Sequence, residues 1–170
     1  MTLPNSNSYL IAIGTNLGDR QDNIVRSREG LCAVGDEVAV ASLYETRPDG
    51  GIANLPFLNT AIHYRTALAP LELLAFMQRL ECSLGRVRRR RLDNRLIDLD
   101  ILLWRDDCAV MRVVNFPHLK IPHPLMLERD YVLVPANEIA SDWKHPSANA
   151  SIHSLLNRSM RSTIIRKICY

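Results

Sequence analysis

An α+β fold whose elements run strand, helix, strand, strand, helix, strand is what this sequence predicts, on three observations. Two stretches carry apolar residues at helical spacing, and each is closed by a glycine. Four short runs rich in apolar and β-branched residues lie around them. Glycine, proline, asparagine and aspartate separate the pieces with turn chemistry. That order is a split βαβ unit, the ferredoxin-like arrangement.

Residues 9–13 are a short apolar run ending at Gly14 and predict a buried strand. Gly14-Thr15-Asn16-Leu17-Gly18-Asp19 is turn chemistry. The next segment puts Ile24, Ser27, Leu31 and Val34 on one helical face, with Gly35 as its stop. Residues 38–44, small and β-branched, predict a second strand. Residues 47–56 hold two prolines, two glycines and an aspartate, a loop long enough to carry function. Residues 57–64 predict a third strand, with Phe57, Asn59, Ala61 and His63 on one side. Pro70 suits the first turn of a second helix, whose stripe is Leu73, Met77, Leu80 and Leu84 and whose stop is Gly85. Residues 97–103 predict a fourth strand. A fifth is expected around 131–134, and a last helix over 151–157.

The bulk numbers narrow the function classes. At 170 residues and 47% hydrophobic, the chain can bury one core, so one domain over residues 1–170 is expected. Its 23% charged residues exclude a disordered chain. The net charge of +3 does not mark a nucleic-acid binder. The placement of charge says more, because Arg86, Arg88, Arg89, Arg90, Arg91 and Arg95 crowd one stretch and suit a polyanion such as a nucleotide phosphate chain. The four cysteines, Cys32, Cys82, Cys108 and Cys169, are far apart and predict free thiols in a reducing compartment. The polar N-terminus and the short apolar run after it read as neither signal peptide nor membrane span, so a cytoplasmic protein is expected.

The chemistry concentrates in Arg95-Leu96-Ile97-Asp98-Leu99-Asp100-Ile101. In a strand, Asp98 and Asp100 point to the same face with Cα atoms about 6–7 Å apart. Their neighbours are apolar, so two like charges sit on a mostly buried strand, a costly arrangement unless something positive lies between them. Magnesium, which takes hard oxygen ligands and pairs carboxylates with substrate phosphates, fits. An isolated Asp-x-Asp more often ends in salt bridges. The arginine-rich segment directly before this one tips the reading toward a phosphate chain held between cations and metal-binding carboxylates.

Three further places carry candidate contacts. Gln78 and Glu81 share one helical face, where Glu81 suits a nucleobase amino group or the orienting of an arginine. Phe57 and Asn59 share a strand face, which suits stacking on a flat ring with an amide reading its edge; a structural hydrogen bond is the plainer account of Asn59. His123, between Pro122 and Pro124, has Arg129 six residues on and Tyr131 two beyond that, a grouping that suits phosphate contact.

Together these segments resemble the 6-hydroxymethyl-7,8-dihydropterin pyrophosphokinase family of folate biosynthesis. The resemblance runs from Tyr9 to about Pro146. It rests on Ile13 through Asp19, Tyr44-Glu45-Thr46, Phe57-Leu58-Asn59, Glu81 with Gly85-Arg86-Val87-Arg88, Arg95 through Leu102, and Ile121-Pro122-His123-Pro124 with Glu128-Arg129. It implies a three-layer α/β/α form of the fold, a monomer, ATP as co-substrate, two magnesium ions, and transfer of pyrophosphate to a reduced hydroxymethylpterin. By position, Asp98 and Asp100 match the metal ligands, with Arg86, Arg88 and Arg95 beside them as catalytic. Thr46, Phe57, Asn59 and Tyr131 match the pterin site. Gln78, Glu81, Arg91, Ile101, His123 and Arg129 match the nucleotide site.

The departures are local. Leu92-Asp93-Asn94 replaces the family's Trp-Gly-Pro, His118 stands where an arginine is common, Arg47 where a proline is, and Thr15 where a serine is. The altered loop is the sole support for a non-catalytic or altered-specificity paralogue that binds pterin or nucleotide. An RNA-binding module of the same fold would carry aromatics on its central strands, where this chain has carboxylates that repel a phosphate backbone.

Overall fold

The computed structural model describes residues 6–49, 53–87, 93–159 and 162–168. The elements are β1 (Asn7–Thr15), α1 (Arg20–Leu31), β2 (Asp36–Val40), β3 (Leu43–Thr46), β4 (Phe57–Thr66), α2 (Pro70–Ser83) and β5 (Asp98–Arg105). The chain continues through β6 (Val114–Phe116), β7 (Leu119–Ile121), α3 (Asp130–Ala140), β8 (Lys144–His145), β9 (Ala150–Ser151), α4 (Ile152–Leu156) and β10 (Ile164–Ile168). The main sheet has the order β10-β3-β4-β1-β5, with β2 also on β4, and every pairing is antiparallel. This is the predicted ferredoxin-like order with its second strand split in two and one strand added at the edge.

Alternation along β1 builds a core on each side of the sheet. Tyr9, Ile11 and Ile13 face one way and pack with Ile24 and Leu31 of α1 and Leu73 and Met77 of α2. Leu10 faces the other way and packs, with Ala61 and Leu103, against Val132, Leu133, Ala136 and Ala140 of α3 and Ile152 of α4. The sheet is therefore the middle of three layers. Each fully buried Leu or Ile in these layers contributes about 1.5–3 kcal/mol. A bulge in the β1–β5 ladder lets Ile101 and Leu103 face opposite sides.

The helix starts follow their local signals. Asp19 caps α1 by accepting from the Asp22 N–H at 3.0 Å. Pro70 opens α2, and Glu72 accepts from the Ala69 N–H at 2.8 Å.

Four expectations need correction. The helix expected to run to Val34 ends at Leu31 with Cys32 as its cap. Gly35 is needed for close approach instead, because a Cβ there would lie 2.3 Å from the Arg65 carbonyl and 2.5 Å from the Tyr64 hydroxyl. The strand expected over 38–44 is two strands, broken at Ala41-Ser42, where the Ser42 N–H leaves the ladder for Glu138 at 2.7 Å. The strand expected at 131–134 is the start of α3. Its composition suits a strand, but Val132, Leu133, Ala136 and Ala140 recur at helical spacing and bury one continuous face. The chain end also supplies β10, which the sequence reading did not place. Cys32, Cys82 and Cys108 are free, as expected, and Cys169 lies outside the described residues.

Candidate active site

The sheet register puts the chemistry on the α3 side. Asp98 pairs with Gly14 and Asp100 with Ala12, while Gly14 pairs on its other flank with Asn59. Asn59 pairs with Tyr44, and Phe57 with Thr46. Paired residues share a face, so both carboxylates, Asn59, Phe57 and Thr46 look out on one side. α3 begins only at Asp130 and covers the Leu10–Ala61–Leu103 end of that face. The rest is a cleft of about 630 Å³, walled by Arg129 and Tyr131 on one side and by Gln78, Glu81 and Arg86 on another.

The carboxylates have unequal surroundings. Asp98 Oδ1 lies 2.6 Å from Arg86 Nη1, and Oδ2 accepts from Arg95 Nη1 at 2.6 Å. Arg86 also pairs with Glu81, and Glu81 accepts the Leu99 N–H at 2.8 Å on the outer edge of β5. Burial pushes the Glu81 carboxyl up, against the pull of Arg86. Asp100 has no arginine within ion-pair distance among the described residues. Burial, followed by the neighbouring Asp98 charge, pushes its carboxyl up to about 7, with Arg129 and Arg95 pulling the other way. Among the described residues the ion pairs therefore sit at Asp98 and not at Asp100.

The other half of the cleft carries the Phe57 and Tyr131 rings and the Asn59 amide. Asn59 is buried, and its Nδ2 donates to Thr46 Oγ1 at 2.8 Å. The plainer structural bond exists, yet Asn59 still lines the cleft. Gly14 makes room for it, since a Cβ at that position would lie 2.9 Å from Asn59 Oδ1. The Arg95 guanidinium stands 5.4 Å from the Phe57 ring centroid and that of Arg129 5.6 Å from the Tyr131 ring. Burial pushes the Tyr131 hydroxyl up to about 12.

His123 follows a cis Ile121–Pro122 peptide, and its N–H donates to the Leu102 carbonyl at 2.9 Å. Burial, then Arg129, pushes its imidazole down to about 4, so it is neutral at pH 7. Its Nδ1 accepts the Leu125 N–H at 3.2 Å, which leaves the proton on Nε2. It is a neutral donor beside a cationic one.

Among the expected residues, Thr46, Phe57, Asn59, Gln78, Glu81 and Arg86 line the cleft. So do Arg95, Asp98, Asp100, His123, Arg129 and Tyr131. Ile101 does not bring its side chain there: alternation turns it with Leu99 into the core under α1 and α2. Arg88, Arg91 and Leu92 lie outside the described residues. Arg47 and His118, noted as departures, also line the cleft.

Sequence reasoning missed Asn16 and Asn94. Asn16 accepts the Arg95 N–H at 2.7 Å and donates to Asn94 Oδ1 at 2.7 Å and to the Leu55 carbonyl at 3.2 Å. Asn94 Nδ2 in turn donates to Asn54 Oδ1 at 3.0 Å. Two loops from distant parts of the chain are thus stitched over the cleft by amides. A polar residue in a glycine turn was the one available signal.

Fold and cleft define a class: an α+β transferase with a carboxylate pair set among arginines, beside a flat wall of ring and amide. Residues 10–141 match the model of the 7,8-dihydro-6-hydroxymethylpterin-pyrophosphokinase family. The chain belongs to that family, whose reaction is ATP-dependent pyrophosphoryl transfer to hydroxymethyldihydropterin in folate biosynthesis. It is 37% identical over 142 residues to the 2-amino-4-hydroxy-6-hydroxymethyldihydropteridine pyrophosphokinase of Porphyromonas gingivalis, covering 81% of this chain and 93% of that one. The Bacillus subtilis protein of the same name is 36% identical over 150 residues, 85% of each chain. The folic acid synthesis protein FOL1 of Dictyostelium discoideum is 35% identical over 153 residues, which are 90% of this chain but 22% of that protein. Among solved structures, the wild-type Plasmodium falciparum HPPK-DHPS with STZ-DHP superposes with a TM-score of 0.69 at 16% identity. It covers 92% of this chain and 44% of that one, a likeness of fold. Among the described residues no helix is long and apolar enough to cross a membrane.

Proposed function

We propose that this chain itself transfers the terminal pyrophosphate of ATP to the hydroxyl of 6-hydroxymethyl-7,8-dihydropterin, releasing AMP. The observation that carries the reading is the pairing of Asp98 with Gly14 and Asp100 with Ala12, which sets both carboxylates on the cleft face between Arg86 and Arg95 on one side and His123 and Arg129 on the other. Two magnesium ions fit: Asp100 offers hard oxygen donors, as does Asp98 once Arg86 and Arg95 turn from it to the phosphates, and such ions would neutralise phosphate charge and acidify the pterin hydroxyl.

The pterin ring stacks between Phe57 and Tyr131, with the Asn59 amide and the backbone after Thr46 reading its edge. Arg95 and Arg129, which stand over those rings, turn toward the phosphates on binding. Arg86, Arg95, Arg129 and the neutral Nε2–H of His123 hold the phosphate oxygens, with Arg88 and Arg91 from the neighbouring loop. Gln78 and the Ile101 main chain line the nucleotide. Glu81, already bonded to Arg86 and Leu99, positions Arg86. The hydroxyl oxygen bonds to the β-phosphorus and gives its proton to solvent, the bond to the α–β bridging oxygen breaks, and that oxygen leaves with AMP. Juxtaposition of the two substrates contributes about 7–11 kcal/mol. The reading includes a single domain over residues 1–170 acting as a monomer, in the cytoplasm.

The test is AMP formation from ATP and the reduced hydroxymethylpterin, with and without magnesium. Pterin-dependent AMP release is expected; a folded chain that binds both substrates and forms none sinks the catalytic reading.

A further inference from the structure

The C-terminal strand lies beyond residue 141, where the family match ends. It is bound into the sheet beside the cleft. β10 pairs with β3 from Ile164 opposite Thr46 to Ile168 opposite Leu43. Arg166 Nε donates to Glu45 Oε2 at 2.8 Å, and Lys167 pairs with Glu138 of α3. Just before the strand, Thr163 makes three bonds at once. Its N–H donates to Asp130 Oδ2 at 2.6 Å and its hydroxyl to Asp130 Oδ1 at 2.5 Å. Its carbonyl accepts the Arg47 N–H at 2.9 Å.

The partners locate the function. Asp130 is 3% exposed and is the first residue of α3, between Arg129 and Tyr131, both of which line the cleft. Arg47 lines the cleft next to Thr46, at the root of the loop that precedes Phe57. One residue thus ties the two walls of the pterin half to each other. A buried carboxylate with both oxygens engaged by one residue is a fixed point, since loss of either bond leaves a desolvated acceptor.

We propose that Thr163 and Asp130 are positioning residues: a C-terminal latch that sets the distance between the Arg47 loop and Tyr131, and so the width of the pterin slot. This rests on the proposed function for its kinetic consequence, and on geometry alone for its effect on the two walls.

The experiment uses the full chain with Thr163→Val, Thr163→Ser and Asp130→Ala. Thr163→Val is expected to raise the pterin KM about tenfold and to change the ATP KM less than about twofold, because a displaced wall acts on the ligand it touches. Thr163→Ser, which keeps the hydroxyl, is expected to restore the pterin KM. Equal rises in both KM values, or no rescue by serine, overturn the latch. Amide exchange at Arg47 and Leu133 without ligands is the second readout. Faster exchange in Asp130→Ala at these two sites, with the β1 amides unchanged, supports the latch, and unchanged exchange overturns it. A wild-type chain that forms no AMP would overturn the proposed function, while the exchange readout still decides the latch.

Discussion

Arg95 donates to Asp98 at 2.6 Å while its guanidinium stands 5.4 Å from the Phe57 ring. One side chain therefore touches the carboxylate assigned to the phosphate half and the ring assigned to the pterin half. Its backbone is fixed by Asn16, so the guanidinium swings from a held base. On the proposed assignment the two substrates meet at this residue.

Arg95→Ala is expected to lower kcat/KM about 100-fold, on the scale of losing one preorganised donor to a transition-state charge. Arg95→Lys, which keeps the charge without the fork, should recover only part of this. Steady-state kinetics against both substrates checks it, and a kcat/KM within about threefold of wild type for Arg95→Ala would remove Arg95 from the mechanism.

Asp98→Ala and Asp100→Ala are expected to leave folded chains that form no pterin pyrophosphate. The two differ in stability. Asp100→Asn relieves a buried charge that makes no ion pair among the described residues, so its urea midpoint should equal or exceed wild type. Asp98→Asn uncouples Arg86 and Arg95 and should lower the midpoint. Retained transfer in either alanine variant contradicts the carboxylate assignment.

The pH dependence of stability has two opposed parts. Asp100 titrates near 7 in the folded chain against an ordinary 3.8, so between these values the folded state holds the extra proton. Stability from this group is lost as pH rises from about 4 to 7. His123 titrates near 4 against an ordinary 6.5, so there the unfolded state holds the extra proton. Stability from this group is lost as pH falls from 6.5 to 4. In magnesium-free buffer, Asp100→Asn should therefore gain on wild type as pH rises, and His123→Gln should gain on it as pH falls. Denaturant midpoints from pH 4 to 8 test both signs, and parallel profiles would refute them.

Asn16→Ala strips partners from the Arg95 N–H, Asn94 and the Leu55 carbonyl together. A cost of about 1–3 kcal/mol is expected from the buried groups left unpaired. Asn94→Ala cuts the ties to Asn54 and to Asn16, whose amide keeps the Leu55 carbonyl and the Arg95 N–H, and should raise the ATP KM with a smaller loss of stability than Asn16→Ala. Thermal unfolding and kinetics on the same samples separate the two.

The parts legible from sequence were those governed by short periods. A spacing of two placed Asp98 and Asp100 on one face, and Phe57 with Asn59, because alternation is forced by the strand itself. The apolar stripes of α1 and α2 were read the same way. The misreadings have a common physical origin. Residues 131–134 have strand composition, and only burial against Leu10 and Leu103 makes them helical. Ala41-Ser42 breaks a strand without glycine or proline, through a bond to Glu138, 96 residues away. Asn16 with Arg95, and Asp130 with Thr163, are partners 79 and 33 residues apart, and no spacing rule announces them.

Among the described residues β5 is one of the two end strands of the main sheet path, and its Leu99 amide is occupied by Glu81. An uncovered edge of that kind is a template on which a second molecule can stack its own strand. The carboxylate that steadies Arg86 therefore also covers one amide of that edge. A Glu81→Leu chain should pair its catalytic defect with light scattering that grows with protein concentration.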